Sequence, residues 1–101
     1  MDKSGENTES IVLAYFFADW CGPCDHLKPV LKEFAEKMGE EVKIVHIDID
    51  KDQMSAAAFM IRTVPTLILF RDGQSLWKYS GQITSEKLLE TIRQKIENHK
   101  L

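Results

Sequence analysis

The stretch that decides the fold runs from Ile11 to Cys24 and reads IVLAYFFADWCGPC. Its first half, Ile11 to Phe17, is a short and almost wholly apolar run of β-branched and aromatic residues, which is typical of a strand buried on both faces. Its second half places two cysteines, Cys21 and Cys24, soon after that strand. We therefore predict a buried strand that leads into a helix, with the cysteine pair at the junction.

The rest of the chain predicts alternating helices and strands. Apolar residues recur at three- and four-residue spacing from Leu27 to Met38, which predicts a helix that Gly39 closes and Pro29 kinks. Strands are expected at residues 42–49, 65–71 and 74–79, the last two joined by a tight turn at Asp72-Gly73. A short helix is expected at residues 51–60, and a final helix is expected to begin after the cap residue Thr84.

This order, β-α-β-α-β-β-α, predicts an α/β fold. The first part of the sheet should be parallel and joined by right-handed crossovers, and the Asp72-Gly73 hairpin should add an antiparallel edge. Helices should then cover both faces. A length of 101 residues fits one domain, which we place at residues 11–101 after a polar, flexible lead-in at residues 1–10.

Composition and charge exclude several classes of function. The formal net charge is −3, so the chain lacks the basic face that nucleic-acid binding usually requires. No stretch approaches the roughly 20 apolar residues of a membrane span. We therefore expect neither nucleic acid nor a membrane among its partners. The polar start has no basic or apolar signal-peptide region, so a cytoplasmic location is expected.

The chain has only two cysteines, which is too few for a secreted disulfide scaffold or for a zinc site made of cysteines alone. His26 and His46 could in principle complete a metal site, but a close pair points first to redox chemistry. At a strand-to-helix junction, unpaired N–H groups and the helix dipole favour a thiolate on Cys21. The thiolate is the form that attacks a disulfide, and Cys24 lies one helical turn away, where it can resolve the mixed disulfide. We expect no metal and no cofactor other than this redox-active pair.

Two segments carry a family resemblance. The run FFADWCGPC, residues 16–24, resembles the active-site run of the thioredoxins, and residues 62–67, RTVPTL, resemble the segment in which that family holds a cis-proline. Pro29, Asp72-Gly73 and Ser80-Gly81 also fit, so the resemblance covers about residues 11–98. It implies a thioredoxin-like fold, with a central mixed sheet flanked by helices on both faces.

The resemblance also implies roles for single residues. Cys21 matches the attacking nucleophile and Cys24 the buried resolving thiol. Trp20 matches an exposed tryptophan on which substrate docks, although a partly buried packing residue is an equal alternative. Pro65 matches the cis-proline, which leaves a backbone edge free to pair with a substrate strand. The other residues expected to bind substrate are Gly22, Pro23, Val64 and Gly81.

The sequence departs from the family at three positions near the cysteines. Tyr15 stands where many thioredoxins carry a buried aspartate, and His46 stands where a lysine is common. We hypothesise that His46 takes over proton transfer with Cys24; the alternative is a packed strand histidine. Asp25 stands where a lysine or arginine is common in the family and, with Asp19, makes the rim of the active site acidic. This predicts a preference for basic or neutral partners, unless the rim is merely solvated.

The lead-in is too short for the strand and helix with which the family begins, so we expect both to be missing, which would expose a sheet edge to a partner or a second copy. Otherwise we expect a monomer.

The leading function is a thioredoxin-type protein-disulfide reductase, acting on disulfide-containing client proteins and recharged by a flavoprotein thioredoxin reductase. The alternatives are a client-specific redox partner and a thioredoxin-fold binding module. In the binding module the cysteines would have little redox role or would hold a metal cluster shared between two chains.

Overall fold

A computed structural model of the chain describes residues 10–98. Within this range the chain forms four strands and four α-helices. Their order matches the predicted β-α-β-α-β-β-α except that the first predicted helix is divided into two, and the ends of the other elements differ from the predicted ones by a residue or two. The helices are α1 (Gly22–Asp25), α2 (Leu27–Met38), α3 (Gln53–Ala58) and α4 (Ser85–Asn98), and the strands are β1 (Ile11–Phe17), β2 (Lys43–Asp48), β3 (Thr66–Arg71) and β4 (Gln74–Ser80). None of these helices is long and apolar enough to cross a membrane.

The predicted lead-in falls outside the described residues apart from Ser10, and so does the expectation that the family's first strand and helix are missing. Both stay predictions, as does the domain boundary at residue 11. Within the described range, Ser10 is tied to the turn between β3 and β4, since its N–H donates to Asp72 Oδ1 and its carbonyl accepts the N–H of Asp72.

The four described strands form one mixed sheet in the order β2-β1-β3-β4. The strands β1 and β2 are parallel, whereas β3 runs antiparallel to both β1 and β4. The parallel part of the sheet is therefore the single pair β1 and β2. Because these two strands point the same way, the loops that follow them meet at the same edge of the sheet.

The strand β1 lies in the middle of the sheet and is buried on both faces, as its apolar run predicts. Leu13 and Tyr15 face the larger core, which α2 and α4 cover. Ala14 and Phe16 point to the opposite face, where the ring of Phe59, directly after α3, packs edge-on against Phe16 at 6.2 Å. Helices thus flank both faces, and the carboxyl end of β1 emerges at a fixed position from the best-packed part of the protein.

The helix after the cysteines differs from the prediction. One helix kinked at Pro29 was expected, whereas the chain forms two helices, α1 and α2, that meet at His26. Pro29 has no N–H to donate to the carbonyl of Asp25, and its ring crowds that carbonyl, so the break lies a turn before the proline. At the junction the N–H of His26 bonds to the carbonyl of Pro23 at 3.2 Å. Cys24 is therefore held in its own short helix.

Candidate active site

The two cysteines lie where β1 leads into α1 and are joined by a disulfide, with their Cα atoms 5.4 Å apart. Cys21 is the N-cap residue of α1, and Cys24 lies inside that helix. Both residues are buried, at 4% and 2% exposed. Among residues 10–98, no three histidine, cysteine, aspartate or glutamate side chains are grouped so as to hold a metal ion. The geometry is that of the oxidised form of a dithiol pair.

The sulfur of Cys21 accepts a hydrogen bond from the backbone. The N–H of Cys24 donates to Cys21 Sγ at 3.1 Å, in the way that N-cap side chains usually accept from the first turn. In the reduced protein this N–H would face a thiolate at the positive end of α1, and a hydrogen bond to the charged form stabilises it. This arrangement suits Cys21 to the role of nucleophile.

The indole of Trp20, next to the nucleophile, is 68% exposed, which disagrees with a partly buried packing residue. Its Nε1 donates to Asp50 Oδ2 at 2.9 Å, and the N–H of Asp50 in turn donates to Asp48 Oδ1. The ring is therefore exposed and held in place. Sequence reasoning missed Asp50, although the parallel pairing of β1 and β2 brings the residues after each strand to the same edge.

The peptide bond between Val64 and Pro65 is cis, as the resemblance implies. The carbonyl of Pro65 accepts the N–H of Gly81 at 3.0 Å, and Gly81 has a φ of 113°, a conformation that favours glycine. Val64 is half-buried, and neither of its backbone polar groups makes a hydrogen bond within residues 10–98. Gly22 and Pro23 are exposed beside the disulfide.

The segment that carries Pro65 is anchored by Thr66, which sequence reasoning had not singled out. Thr66 is 1% exposed. Its hydroxyl donates to the carbonyl of Thr63 at 2.7 Å and lies 2.8 Å from the hydroxyl of Ser80 on β4. The threonine thus ties both sides of Pro65 to the sheet.

Tyr15 lies beneath the cysteine pair on β1 and is 1% exposed. Its hydroxyl donates to the carbonyl oxygen of Cys24 at 2.9 Å. Burial raises the pKa of Tyr15, and the negative charge of Asp25 raises the pKa further. The phenol is therefore a neutral hydrogen-bond donor at physiological pH.

His46 pairs with Tyr15 across the sheet, which places the two side chains on the same face, as expected. The imidazole meets the Tyr15 ring edge-on, with 5.5 Å between the ring centroids, and it is exposed. Within residues 10–98, no hydrogen bond joins His46 to Tyr15 or to either cysteine. The role of His46 in proton transfer stays a prediction, and the imidazole would act from its position beside the ring of Tyr15.

The acidic residues of the rim, Asp19 and Asp25, are both exposed. Asp25 lies 3.2 Å from the Nζ of Lys28 one turn further on, and this exposed ion pair offsets part of its charge. Whether the acidic rim selects partners stays a prediction.

Gln82 is a second residue that sequence reasoning missed. Its side-chain Nε2 donates to the carbonyl oxygen of Pro23 at 2.8 Å, across 59 residues of sequence. The hydroxyl of Tyr79 donates to the backbone carbonyl of Gln82 at 2.7 Å and holds the loop after β4. A signal existed, because Gln82 directly follows Gly81, which the resemblance had placed in the substrate groove.

Two cysteines three residues apart close into a disulfide at the N-terminus of a helix, and a buried cis-proline follows later in the chain. Together these features define an α/β thiol-disulfide oxidoreductase. The sequence model of the family described as Thioredoxin matches residues 2–94. The chain belongs to the thioredoxin family.

Particular relatives agree with this assignment. The chain is 40% identical over 89 residues to thioredoxin of Bacillus subtilis strain 168, covering 88% of this chain and 86% of that protein. It is 34% identical over 96 residues to chloroplastic thioredoxin Y of Oryza sativa subsp. japonica, covering 95% of this chain but 57% of that protein. Among solved structures, a mutant thioredoxin from Halobacterium salinarum NRC-1 superimposes with a TM-score of 0.77 at 40% identity, covering 85% of this chain and 74% of that one.

Proposed function

We propose that this thiol-disulfide oxidoreductase works in the reducing direction on protein disulfides. The hydrogen bond from the N–H of Cys24 to Cys21 Sγ at the N-terminus of α1 carries the assignment of Cys21 as the attacking thiol. A sulfur in this position is stabilised as the thiolate, which is the attacking species in thiol-disulfide exchange. The likeness of the Cys21-Gly22-Pro23-Cys24 loop to the thioredoxins supports the reducing direction. The pair Cys21 and Cys24 needs no bound cofactor for this chemistry.

The reaction follows from the positions of the two sulfurs. The Cys21 thiolate attacks one sulfur of the client disulfide, forms a mixed disulfide and releases the other client sulfur as a thiolate, which takes up a proton. The thiol of Cys24 then loses its proton and attacks Cys21 Sγ, which releases the second client thiol and leaves the Cys21–Cys24 disulfide. Two electrons have passed from the dithiol to the client. A second reductant, for which the family resemblance suggests a flavoprotein thioredoxin reductase, must return them.

The backbone next to Pro65 suits an extended client segment. Because Val64 leaves both backbone polar groups without a partner in residues 10–98, a client strand could pair with them while its disulfide reaches Cys21. The exposed Trp20 would contact the client from the other side. Cytoplasmic location and a monomeric state remain predictions that accompany this function.

A trapping experiment tests the proposal. In the Cys24→Ser variant the resolving thiol is missing, so a mixed disulfide between Cys21 and a disulfide-bonded protein such as insulin should accumulate. The Cys21→Ser variant is the matched control and should trap little, since the thiol of Cys24 lies inside α1. If neither variant forms a mixed disulfide and the wild-type chain does not reduce insulin, the reductase proposal is wrong.

A second candidate, a redox partner for a narrow set of clients, is favoured by the neutral phenol of Tyr15 beneath the pair and by the acidic Asp19 and Asp25. It predicts that basic disulfide peptides are reduced faster than acidic ones of the same length. Equal rates would favour a general reductase. The binding-module alternative would be supported if the chain bound clients and both cysteine variants bound them as tightly as the wild type does.

A further inference from the structure

A chain of two hydrogen bonds connects Gln82 to the sulfur of Cys21. The Nε2 of Gln82 donates to the carbonyl oxygen of Pro23 at 2.8 Å. That carbonyl belongs to the same peptide group as the N–H of Cys24, which donates to Cys21 Sγ at 3.1 Å. One planar peptide unit is therefore held by a donor on its oxygen side, and its own N–H is shared between the reactive sulfur and the carbonyl oxygen of Cys21, at 3.2 Å from the latter.

Such a chain has an electrostatic consequence. A donor on the oxygen of a peptide group polarises the group, so that its N–H becomes a stronger donor, an effect of about 10–30% per hydrogen bond. A stronger donor favours the charged form of the sulfur that accepts from it. The carbonyl of Pro23 also accepts the N–H of His26 at 3.2 Å. This carbonyl therefore has one backbone donor, His26, and one side-chain donor, Gln82.

The position of Gln82 is fixed by its surroundings. Its backbone carbonyl accepts the hydroxyl of Tyr79 at 2.7 Å, and the preceding residue, Gly81, donates its N–H to Pro65. The loop after β4 is thus fastened to β4 and to the cis-proline segment before its side chain reaches across to α1. These anchors position the backbone of Gln82, while its side-chain amide is exposed beside the carbonyl of Pro23.

We propose that Gln82 is a positioning residue that acts through the Pro23–Cys24 peptide group to stabilise the thiolate of Cys21. Its side chain donates to the carbonyl of Pro23 and makes no hydrogen bond to the reacting sulfur within residues 10–98. The inference rests on the proposed function, since it assumes that the reduced Cys21 is the nucleophile. It adds control of that nucleophile from a loop that is distant in sequence.

Other charges near the pair must be held constant in a test. The titratable groups closest in sequence or in contact are Asp19, Asp25 and His26 around the pair, Tyr15 beneath it and Asp50 on the indole of Trp20. Variants at Gln82 leave all of them in place. Gln94 on α4 is exposed and serves for matched control substitutions.

The experiment measures the pKa of Cys21 from the pH dependence of its alkylation by iodoacetamide, in a Cys24→Ser background where one thiol reacts and the N–H of residue 24 is kept. Gln82→Leu removes the donor at similar size and should raise the pKa by about 0.3–0.5, which slows alkylation at pH 6 about two- to threefold. Gln82→Glu also adds a negative charge and should raise the pKa further. Gln94→Leu and Gln94→Glu should change it little.

A second measurement does not depend on thiol titration. In the oxidised wild-type background, Gln82→Leu should move the amide proton resonance of Cys24 upfield, because its hydrogen bond to Cys21 Sγ weakens. An unchanged Cys21 pKa in Gln82→Leu, or a rise equalled by Gln94→Leu, would overturn the inference. Neither readout requires turnover, so failure of the wild-type chain to reduce insulin would refute the proposed function while leaving these results to judge Gln82 separately.

Discussion

The hydroxyl of Tyr15 donates a hydrogen bond of 2.9 Å to the carbonyl oxygen of Cys24. The buried side of the redox pair therefore presents a neutral donor at the position where many members of the family are expected to carry a carboxylate. The phenol fixes the backbone of the resolving cysteine, but it cannot accept the proton of that cysteine as a carboxylate could. The residue at this position can therefore support stability but not proton transfer.

The first prediction concerns stability. Tyr15→Phe keeps the ring but leaves the buried carbonyl of Cys24 without this donor, so the free energy of unfolding should fall by about 1–3 kcal/mol. Urea unfolding of the oxidised protein measures the change. Tyr79→Phe is the matched control, because it removes a hydroxyl whose partner, the carbonyl of Gln82, is exposed and can turn to water. Equal losses in the two variants would contradict the assigned burial of the Tyr15 bond.

The second prediction concerns alkaline pH. Burial and the charge of Asp25 raise the pKa of Tyr15 above its usual value of 10.0. As pH rises, the unfolded chain therefore loses this proton before the folded chain does, and folding becomes less favourable. The stability advantage of the wild type over Tyr15→Phe should be complete below about pH 10 and should shrink above it. Urea midpoints of both oxidised proteins from pH 8 to 11 test this, and a constant difference would refute it.

The third prediction concerns the cis-proline segment. Thr66→Val preserves the shape of the side chain but removes its hydrogen bonds to Thr63 and Ser80, which should cost about 1–3 kcal/mol of stability. Because Pro65 would then be held less firmly, KM for a protein disulfide should rise more than kcat falls. Thr63→Val, at an exposed side chain, is the control for both measurements. A Thr66→Val protein with wild-type stability and KM would show that this anchor is unimportant.

The fourth prediction concerns His46. If the imidazole next to Tyr15 moves the proton of Cys24, then His46→Ala should slow disulfide reduction several-fold and change its pH profile, because the variant lacks this general base. His46→Gln keeps a polar side chain without a titrating group and should behave like the alanine variant. A wild-type rate and pH profile in both variants would assign His46 to the strand surface alone.

Much of the fold could be predicted from the sequence because local patterns and tertiary packing agree. The apolar run of β1 reads as a strand buried on both faces, and it lies at the centre of the sheet with Leu13 and Ala14 on opposite faces. The sequence predicted the break at Pro29, about a turn after its observed position at His26, because a proline disturbs the carbonyl four residues before it rather than its own position. The antiparallel direction of β3 depends on how residues 59–65 turn, which no periodicity records.

The site was predicted where the chemistry lies close together in sequence. Cys21, Cys24 and Trp20 form one run, and the resemblance supplied Pro65. Asp50 and Gln82 were missed because each acts through a single side-chain hydrogen bond to a residue at least 30 positions away. A glutamine or an aspartate in an exposed loop carries no pattern that distinguishes such a contact from ordinary solvation.

The central claim is that Cys21 and Cys24 form a reducing dithiol pair, and its reduction potential tests that claim most directly. The protein is equilibrated with thiol and disulfide buffers of defined ratio, and the fraction of oxidised pair is read after acid quenching and alkylation. We predict a potential close to the thioredoxin level of about −270 mV. A potential of about −180 to −120 mV, or failure of the pair to form an intramolecular disulfide, would contradict the assignment as a reductase.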